Sequence, residues 1–248
     1  MRLSIIVLTK NSEKEIDRTL KSVLFADEII TIDDNSNDNT LEVAKKYNAK
    51  IFKRDLNGNF SAQRNFGLSK ASGEWIFFVD SDEEVSKQLA SEILSKITSG
   101  NNLDGYFVKR QDIMWGKVIK HGENGSNWIL RLAKKDSGEW MGKVHETWKV
   151  KGEVGNLENT LFHYPHLTIA EFLKEINFYT TIRAQELFEK KVKVNWYDII
   201  LYPKAKFLQN YIFRKGFMDG TVGFVLAILM SMHSFLVRGK LWQLQKNK

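Results

Sequence analysis

Apolar and polar positions alternate through the first hundred residues with two different periods. Four short runs rich in β-branched or aromatic residues are typical of buried strands, and between them apolar residues recur at helical spacing. The predicted strands are Leu3–Thr9, Glu28–Asp33, Ile51–Phe52 and Trp75–Val79, and the apolar stripes of the predicted helices fall within residues 16–24, 41–47, 61–71 and 89–97. Strands that alternate with helices predict βαβ units and a mostly parallel sheet, which is an α/β fold.

The pattern changes after residue 104, where polar, glycine-bearing stretches separate shorter apolar runs. The predicted elements are a hairpin of residues 105–110 with 118–121, a strand over 128–132 and a helix over 168–189. We predict that Pro165 and Pro203 mark element boundaries, because proline lacks a backbone donor and restricts the residue before it. The chain therefore divides into an α/β domain over residues 1–165 and a helical extension over residues 166–248.

Charge is unevenly distributed along the chain. The net charge is +7, yet residues 190–248 hold eleven Lys or Arg and two acids, a balance of +9. Within this basic segment, residues 221–237 carry no formal charge and predict a helix of ~25 Å, which is short for a ~30 Å hydrocarbon core. Flanking basic residues favour a helix in the interface of an anionic membrane, or in a homo-oligomer contact, and a buried core helix that packs on the sheet is the alternative.

Composition narrows the possible classes of function. The chain has no cysteine, which excludes disulfides, zinc fingers, iron–sulfur clusters and thiol nucleophiles. Its first apolar run is too short for a signal peptide, so we expect a cytoplasmic protein. No glycine-rich G-x-G-x-x-G turn follows Leu3–Thr9, and a dehydrogenase of the Rossmann type needs that turn to bring its backbone to a pyrophosphate. That class is excluded.

Polar residues cluster where three predicted strands end. Thr9 and Asn11 follow the first strand, residues 33–36 (DDNS) end the second, and residues 80–83 (DSDE) follow the fourth. Each cluster alone also fits a turn that caps the next helix. Together they meet at the carboxyl edge of one parallel sheet, where such folds bind ligands, and the helix between them places Arg64 near that edge.

The chemistry available to these clusters differs. Carboxylates at residues 33–34 would accept hydrogen bonds from a nucleotide base or a ribose. Asp80 and Asp82 are separated by one residue, and such a pair can hold a hard divalent cation through oxygen ligands. A cation there would bridge a diphosphate and neutralise the charge that grows on a leaving group.

Four stretches of the chain together resemble the inverting family 2 glycosyltransferases. They are SIIVLTKN, ADEIITIDDNSNDNT, FSAQRNFGLSKASGEWIFFVDSDE and GEWMGKVHE. The family's usual Pro-x-Tyr-Asn after the first strand is replaced here by LTKN at residues 8–11. The resemblance implies the GT-A fold, a Rossmann-like, mostly parallel sheet flanked by helices, with a nucleotide-sugar half over residues 1–100 and an acceptor half over residues 101–165.

The resemblance also implies ligands for individual residues. The implied contacts of a UDP-sugar donor are Thr9, Asn11, Asp34, Arg64 and Asp80. Asp82 would ligate Mg²⁺ or Mn²⁺. A late histidine completes the metal shell in some GT-A enzymes, and His163, with His166 nearby, is the candidate here, since imidazole can join oxygen ligands around Mn²⁺. A structural histidine in a turn is the alternative.

An inverting transfer requires a general base and no covalent enzyme nucleophile. One carboxylate removes the proton of the acceptor hydroxyl as its oxygen attacks the anomeric carbon opposite the diphosphate. The resemblance assigns this base to Glu146, and Asp136 and Glu139 are rivals. The implied contacts of the acceptor or a phosphate are Arg131, Trp140 and His145, although a single Trp is as often a core residue.

Residues 210–224 (NYIFRKGFMDGTVGF) resemble the C-terminal signature of bacterial lipopolysaccharide-core β-1,4-glucosyltransferases. This implies transfer of glucose from UDP-glucose to a lipid-anchored inner-core glycan at the inner leaflet of the cytoplasmic membrane, whose anionic surface would attract the basic tail. Another polysaccharide or a polyprenyl carrier is the alternative acceptor. We expect no nucleic-acid partner, because residues 224–235 form one apolar block instead of aromatics interleaved with basic residues.

Overall fold

The structure is a computed structural model, and it describes residues 2–100, 102–123, 125–142, 146–165 and 168–246. The chain forms two compact units. Unit 1 consists of Met1–Arg110 and Asn127–His163, and unit 2 consists of Gln111–Ser126 and Tyr164–Lys248. Unit 2 therefore contains a short segment from the middle of the chain as well as the C-terminal helices.

Strands and helices alternate in the first hundred residues. The strands are β1 Leu3–Thr9, β2 Glu28–Asp33, β3 Lys50–Lys53, β4 Trp75–Asp80 and β5 Glu83–Val85, and the helices are α1 Ile16–Ser22, α2 Thr40–Lys46, α3 Phe60–Lys70 and α4 Lys87–Thr98. The later strands are β6 Gly105–Met114, β7 Lys117–Val118, β8 Asn127–Lys134, β9 Gly138–Met141, β10 Thr147–Val150 and β11 Val154–His163. The predicted elements of the first hundred residues are confirmed.

The main sheet has the strand order β3–β2–β1–β4–β8–β6–β11–β5, and β7 pairs with β6. Strands β3, β2, β1 and β4 are mutually parallel. The later strands add antiparallel pairs, namely β8 with β4 and β6, and β11 with β5. A separate antiparallel pair is formed by β9 and β10. The parallel half carries the βαβ units that the sequence predicts.

Both faces of the parallel strands are buried, because successive side chains of a strand point to opposite faces. On β1, Ile5 and Val7 pack in one core cluster with Leu89 of α4. Ile6 faces the other way, in a second cluster with Phe78 of β4. Helices and the β9–β10 pair cover the two faces, which explains why these strands are continuous apolar runs in the sequence.

Unit 2 is mainly helical. Its helices are α5 Ile169–Glu189, α6 Trp196–Leu208 and α7 Gly220–Lys246. A π-helical turn, Gln209–Phe213, and a 3₁₀ turn, Gly216–Asp219, join α6 to α7. The predicted helix over residues 168–189 is confirmed, and it begins at a capping box in which Thr168 and Glu171 bond to each other's backbone.

Two predictions for this unit are wrong. Pro203 lies inside α6 instead of at a boundary. The helix continues despite the missing N–H of proline, because α6 packs on α7 and Ser231 Oγ donates a hydrogen bond to the Pro203 carbonyl at 2.8 Å. The second hairpin strand is only Lys117–Val118. The backbone N–H groups of Lys120 and His121 donate to the Asp219 carboxylate instead of to a strand.

The uncharged segment 221–237 forms the middle of α7. Leu226, Leu229 and Val237 are buried, and α7 packs on α5 and α6. Among the described residues, the helical segment Gly216–Lys246 is the one long and apolar enough to cross a membrane. That criterion alone is weak, since core helices of soluble proteins also meet it.

Candidate active site

Parallel pairing brings the strand-end clusters to one edge of the sheet. In register, Thr9 of β1 lies beside Asp33 of β2, and Leu8 lies beside Asp80 of β4. The residues that follow these positions therefore meet at the carboxyl edge, as the strand pattern of the sequence predicts.

Asp34 is anchored from two sides. Its Oδ2 accepts a hydrogen bond from Lys10 Nζ at 2.6 Å, and its Oδ1 accepts one from the backbone N–H of Leu56 at 2.9 Å. Burial alone would raise the pKa of the Asp34 carboxyl, but these two donors outweigh burial and hold the pKa below its ordinary value. Asn11 has left-handed backbone (φ +47°), and its Oδ1 accepts from the Asn37 N–H at 3.0 Å, which links the loops after β1 and β2.

Arg64 joins two carboxylates. It lies on α3, whose N-cap Asn59 accepts a hydrogen bond from the first turn, and it is 3% exposed. Its Nε donates to Glu146 Oε1 at 2.8 Å, and its Nη2 donates to Asp80 Oδ1 at 2.9 Å. The guanidinium carbon lies 4.6 Å from the centre of the Trp140 ring. One side chain thus holds the predicted base beside the predicted sugar contact.

Arg131 contacts Asp80 from β8. Its Nη2 donates to Asp80 Oδ2 at 2.7 Å, and Glu83 Oε2 accepts the backbone N–H of Asp80 at 2.8 Å. Burial opposes ionisation of Asp80, but the charges of Arg131 and Arg64 outweigh it and hold the pKa of Asp80 well below its ordinary value. Burial, and then the charge of Asp80, raise the pKa of Glu83. Asp80 is therefore the more readily ionised carboxyl of the two.

Several buried polar atoms at this edge have no hydrogen-bond partner among the described residues. They are Thr9 Oγ1, Arg64 Nη1, Arg131 Nη1 and Glu83 Oε1. Leaving a buried polar group unpaired costs ~1–3 kcal/mol, and the large majority of such groups in native proteins are paired. Two guanidinium donors without acceptors therefore indicate a site for an anionic, oxygen-rich ligand.

Asp82 and His163 are brought together by strand pairing. β11 runs antiparallel to β5 so that His163 lies opposite Glu83, and His163 Nε2 lies 3.4 Å from Asp82 Oδ2. The Asp82 side chain is 35% exposed. A carboxylate and an imidazole fit a divalent cation that takes its other ligands from substrate oxygens and water. No group of three or more His, Cys, Asp or Glu side chains suited to a metal occurs in the described part of the chain.

Trp140 is a core residue in this structure. It is 5% exposed, and its ring stacks on Trp148 with centroids 5.3 Å apart. Phe78 and Arg64 contact the same ring. The predicted role as a platform for an acceptor sugar is corrected accordingly: the indole supports Arg64 from beneath and has its faces covered.

The two rivals of Glu146 lie elsewhere. Asp136 is in a 3₁₀ turn after β8, and the neighbouring Lys135 N–H bonds to the carbonyl of Glu74 just before β4. Asp136 is therefore at the amino ends of the parallel strands. Glu139 is exposed on β9, where alternation points its side chain away from the buried face of that strand. Glu146 alone of the three contacts the strand-end cluster. His145 and His166 lie outside the described residues.

Two residues of the cluster were not predicted as site residues. In the sequence Glu83 stands out only as the last member of the 80–83 run. Arg110, whose Nη1 lies 3.6 Å from Glu83 Oε1, has no signal in the sequence. Glu83 could have been found from its position in a run that continues a fully buried strand. Arg110 depends on the pairing of β6 with β8, which no local pattern specifies.

The parallel strands place a polar cluster at their carboxyl edge, and the later antiparallel strands bring the Glu146 carboxylate to the same edge. This arrangement defines the class of protein as a GT-A-like glycosyltransferase. Residues 4–150 match Glycosyl transferase family 2. The chain belongs to this family and is a glycosyltransferase.

Two relatives extend over nearly the whole chain. The lipopolysaccharide core biosynthesis glycosyltransferase LpsC of Rhizobium meliloti is 26% identical over an alignment of length 250, which covers 97% of this chain and 92% of that protein. An uncharacterized glycosyltransferase of Rickettsia typhi is 26% identical over an alignment of length 260, which covers 98% of this chain and 87% of that protein.

A solved structure shares the fold. Residues 1–349 of Staphylococcus aureus TarS, in complex with UDP-GlcNAc, superpose with a TM-score of 0.51 at 15% identity, covering 100% of this chain and 93% of that one. The predicted GT-A-like fold is confirmed.

Proposed function

We propose that the protein is a metal-dependent, inverting glycosyltransferase that transfers glucose from UDP-glucose to an inner-core sugar of a lipopolysaccharide or lipooligosaccharide. The observation that carries the proposal is the cluster at the carboxyl edge, in which Arg64 bonds both Asp80 and Glu146 while buried donors remain unpaired. The relative LpsC, named for lipopolysaccharide core biosynthesis, supports the acceptor class.

The nucleotide of the donor would lie along the ends of β1 and β2. Thr9, through its unpaired Oγ1, and Asp34 would bond the base and the ribose. Arg64 and Arg131 would direct their unpaired Nη1 donors at the diphosphate, since guanidinium groups bind phosphate oxygens by charge-assisted hydrogen bonds. Asp80 would accept a hydrogen bond from a hydroxyl of the ribose or the sugar.

Asp82 and His163 would hold Mg²⁺ or Mn²⁺. The cation would neutralise the negative charge that develops on the departing diphosphate. The exposure of Asp82, in the turn between β4 and β5, leaves its carboxylate accessible to the donor. His163 Nε2, which lies close to that carboxylate, would supply a second ligand from β11.

Glu146 is the proposed general base. The oxygen of the acceptor hydroxyl forms a bond to the anomeric carbon while the bond from that carbon to the diphosphate oxygen breaks and its electron pair leaves with the diphosphate. The hydroxyl proton passes to the Glu146 carboxylate. Attack opposite the leaving group inverts the anomeric configuration. Arg64 orients Glu146 by its bond to Oε1.

A different acceptor class has separate support. TarS of Staphylococcus aureus, a poly(ribitol-phosphate) β-N-acetylglucosaminyltransferase, is 38% identical over an alignment of length 99, which covers only 36% of this chain and 17% of that protein. Sugar transfer to another polysaccharide or lipid-linked acceptor is therefore the alternative function. It would use the same base and the same edge of the sheet with another acceptor.

Calorimetric titration of UDP, with and without Mn²⁺ or Mg²⁺, tests the donor site. We expect wild type to bind UDP in a metal-dependent manner, and Asp82→Asn to lose the metal dependence while keeping its thermal stability. Asp136→Asn is the matched control, because it removes the same charge at the opposite end of the sheet. Absence of UDP binding by wild type would contradict the donor site, and equal binding by Asp82→Asn with the same metal dependence would contradict the metal ligand.

A further inference from the structure

Helix α6 carries large apolar side chains and buries none of its residues. Trp196, Leu201 and Leu208 are 71%, 57% and 48% exposed, and Phe213 in the following turn is 79% exposed. A surface helix of a soluble domain normally turns its apolar stripe to the core and its polar face to water. Contiguous exposed apolar surface instead marks a contact with another molecule or a membrane.

The exposed apolar surface continues from α6 to the start of α7. The ring of Tyr211 lies 6.3 Å from Phe217 and 5.5 Å from Phe224, centroid to centroid. Phe217 and Phe224 are themselves 50% and 42% exposed. We call the exposed side chains of residues 196–224 the α6 surface.

Positive charge accompanies the α6 surface. Lys204 and Arg214 are exposed on it. The two acids of residues 190–248 are both engaged, since Asp198 caps the N-terminus of α6 and Asp219 is 3% exposed. The eleven basic residues of this segment are therefore offset very little by its own two acids at the surface, and a negatively charged partner would be complementary to it.

A basic cavity opens beside the α6 surface. It has a volume of about 600 Å³ and is lined by side chains of α5, α6 and α7, with Leu208 and Phe213 of the α6 surface in its wall. The basic side chains in the same wall are Arg183, Lys206 and Arg238. The apolar surface and the basic cavity are therefore continuous.

Arg238 is the cation of this cavity that has no carboxylate partner among the described residues. Lys206 is paired with Glu123 at 2.8 Å, and Arg183 is paired with an acid one turn along α5. The guanidinium of Arg238 instead lies over the Tyr202 ring, 4.1 Å from its centre. A guanidinium that is held by a ring and lacks an anion is suited to bidentate contact with a phosphate.

We infer that unit 2 docks on the anionic surface of a lipid bilayer through the α6 surface, and that the cavity receives a headgroup phosphate at Arg238. Trp and Tyr are enriched at membrane interfaces, and Lys extends its charge to the headgroups. The thirteen residues of α6 span ~20 Å, too short to cross the bilayer, so the helix lies in its plane. A second copy fits less well, because two positively charged surfaces repel. The inference does not depend on the sugar that is transferred.

Vesicle co-sedimentation in the absence of donor tests the inference. The probes are phosphatidylcholine vesicles with and without phosphatidylglycerol. We expect wild type to bind only the anionic vesicles. Leu201→Asp should weaken that binding by ~10-fold or more, because the variant can no longer bury one Leu side chain in the bilayer. Arg238→Gln should weaken it ~5-fold, equivalent to ~1 kcal/mol for one basic residue at the surface.

Leu24→Asp is the matched control, because Leu24 in unit 1 is 56% exposed and Leu201 is 57% exposed. Trp196→Ser provides a second, independent variant of the α6 surface, and circular dichroism confirms folding of each. Equal vesicle binding by the α6 variants and Leu24→Asp would overturn the inference. Binding of inorganic phosphate at Arg238 without any binding of vesicles would also overturn it. A third contradicting result is a wild-type protein that does not bind vesicles and forms a dimer in light scattering, if Leu201→Asp dissociates that dimer.

Discussion

The Glu28 carboxylate accepts hydrogen bonds from several segments at the amino end of the parallel sheet, and we expect Glu28→Gln to destabilise the protein. Its side chain is 1% exposed. Oε1 accepts hydrogen bonds from Lys50 Nζ at 2.6 Å and Ser72 Oγ at 2.8 Å, and Oε2 accepts from the Ser72 N–H at 2.8 Å and from Ser4 Oγ. Glutamine replaces one of these oxygens with an NH₂ group. The hydrogens of that group would face the donors of Lys50, Ser72 or Ser4, so the hydrogen bonds to that oxygen would be lost.

The size of the effect follows from the pKa of Glu28. Burial raises this pKa, but the bonds from Lys50, Ser4 and Ser72 outweigh burial and lower it from 4.5 to about 2. At ~1.4 kcal/mol per pKa unit, the ionised carboxylate contributes roughly 3 kcal/mol to the free energy of unfolding. Because the folded-state pKa lies below the unfolded-state value, this contribution is complete above about pH 5 and is lost as the pH falls from ~4.5 toward ~2.

Urea unfolding at two pH values measures this contribution. At about pH 7 we expect Glu28→Gln to be less stable than wild type by roughly 3 kcal/mol, and at about pH 3 we expect less than half of that difference. Glu42→Gln is the control, since Glu42 and Lys45 form a pair whose side chains are 66% and 62% exposed and such pairs contribute ~0–1 kcal/mol. Equal differences at both pH values would refute the ionic origin of the effect.

Two further predictions concern side chains that hold the backbone of another segment in place. The Asn65 side chain accepts a hydrogen bond from the N–H of Trp140 and donates one to its carbonyl, both at 2.9 Å. Asn65→Ala should therefore lower the free energy of unfolding by ~1–3 kcal/mol and the Tm by ~2–4 °C or more. An unchanged Tm would contradict this role. Asp219→Ala leaves the N–H groups of Lys120 and His121 without their acceptor, so hydrogen exchange of these two amides should accelerate, and unchanged exchange rates would show that another group satisfies them.

Much of unit 1 could be predicted because its strands are buried on both faces. The five consecutive buried residues Trp75–Val79 of β4 are all apolar, and such a run bounded by a polar strand end is visible in the sequence. The meeting of Asp34 and Asp80 at one edge follows from parallel pairing alone.

Contacts across long stretches of chain could not be predicted in this way. Glu146 lies 82 residues from Arg64, and their bond depends on how β8, β9 and β10 return the chain to the sheet. Local pattern also cannot tell a buried Trp from a sugar platform. The burial of Trp140 depends on Trp148 from the paired strand.

The apolar pattern of residues 221–237 predicts one interfacial helix in unit 2, and the structure adds α6, which exposes large apolar side chains and buries none of its residues. Apolarity alone does not specify which helix covers another. Helix α6 could not be predicted from the sequence, because it contains Pro203 and a proline is disfavoured inside a helix and normally indicates a helix end. Packing on α7 tolerates it here.

In the proposed mechanism Glu146 removes the acceptor proton in an inverting transfer. The most direct measurement is the anomeric configuration of the product, determined by NMR after incubation with UDP-glucose, divalent metal and a soluble inner-core acceptor, together with the turnover of Glu146→Gln. We expect a β-linked product from the α-linked donor. Glu146→Gln should lose ~10²–10⁴-fold in turnover and keep its affinity for UDP. An α-linked product, or near wild-type turnover in Glu146→Gln, would contradict the proposed mechanism.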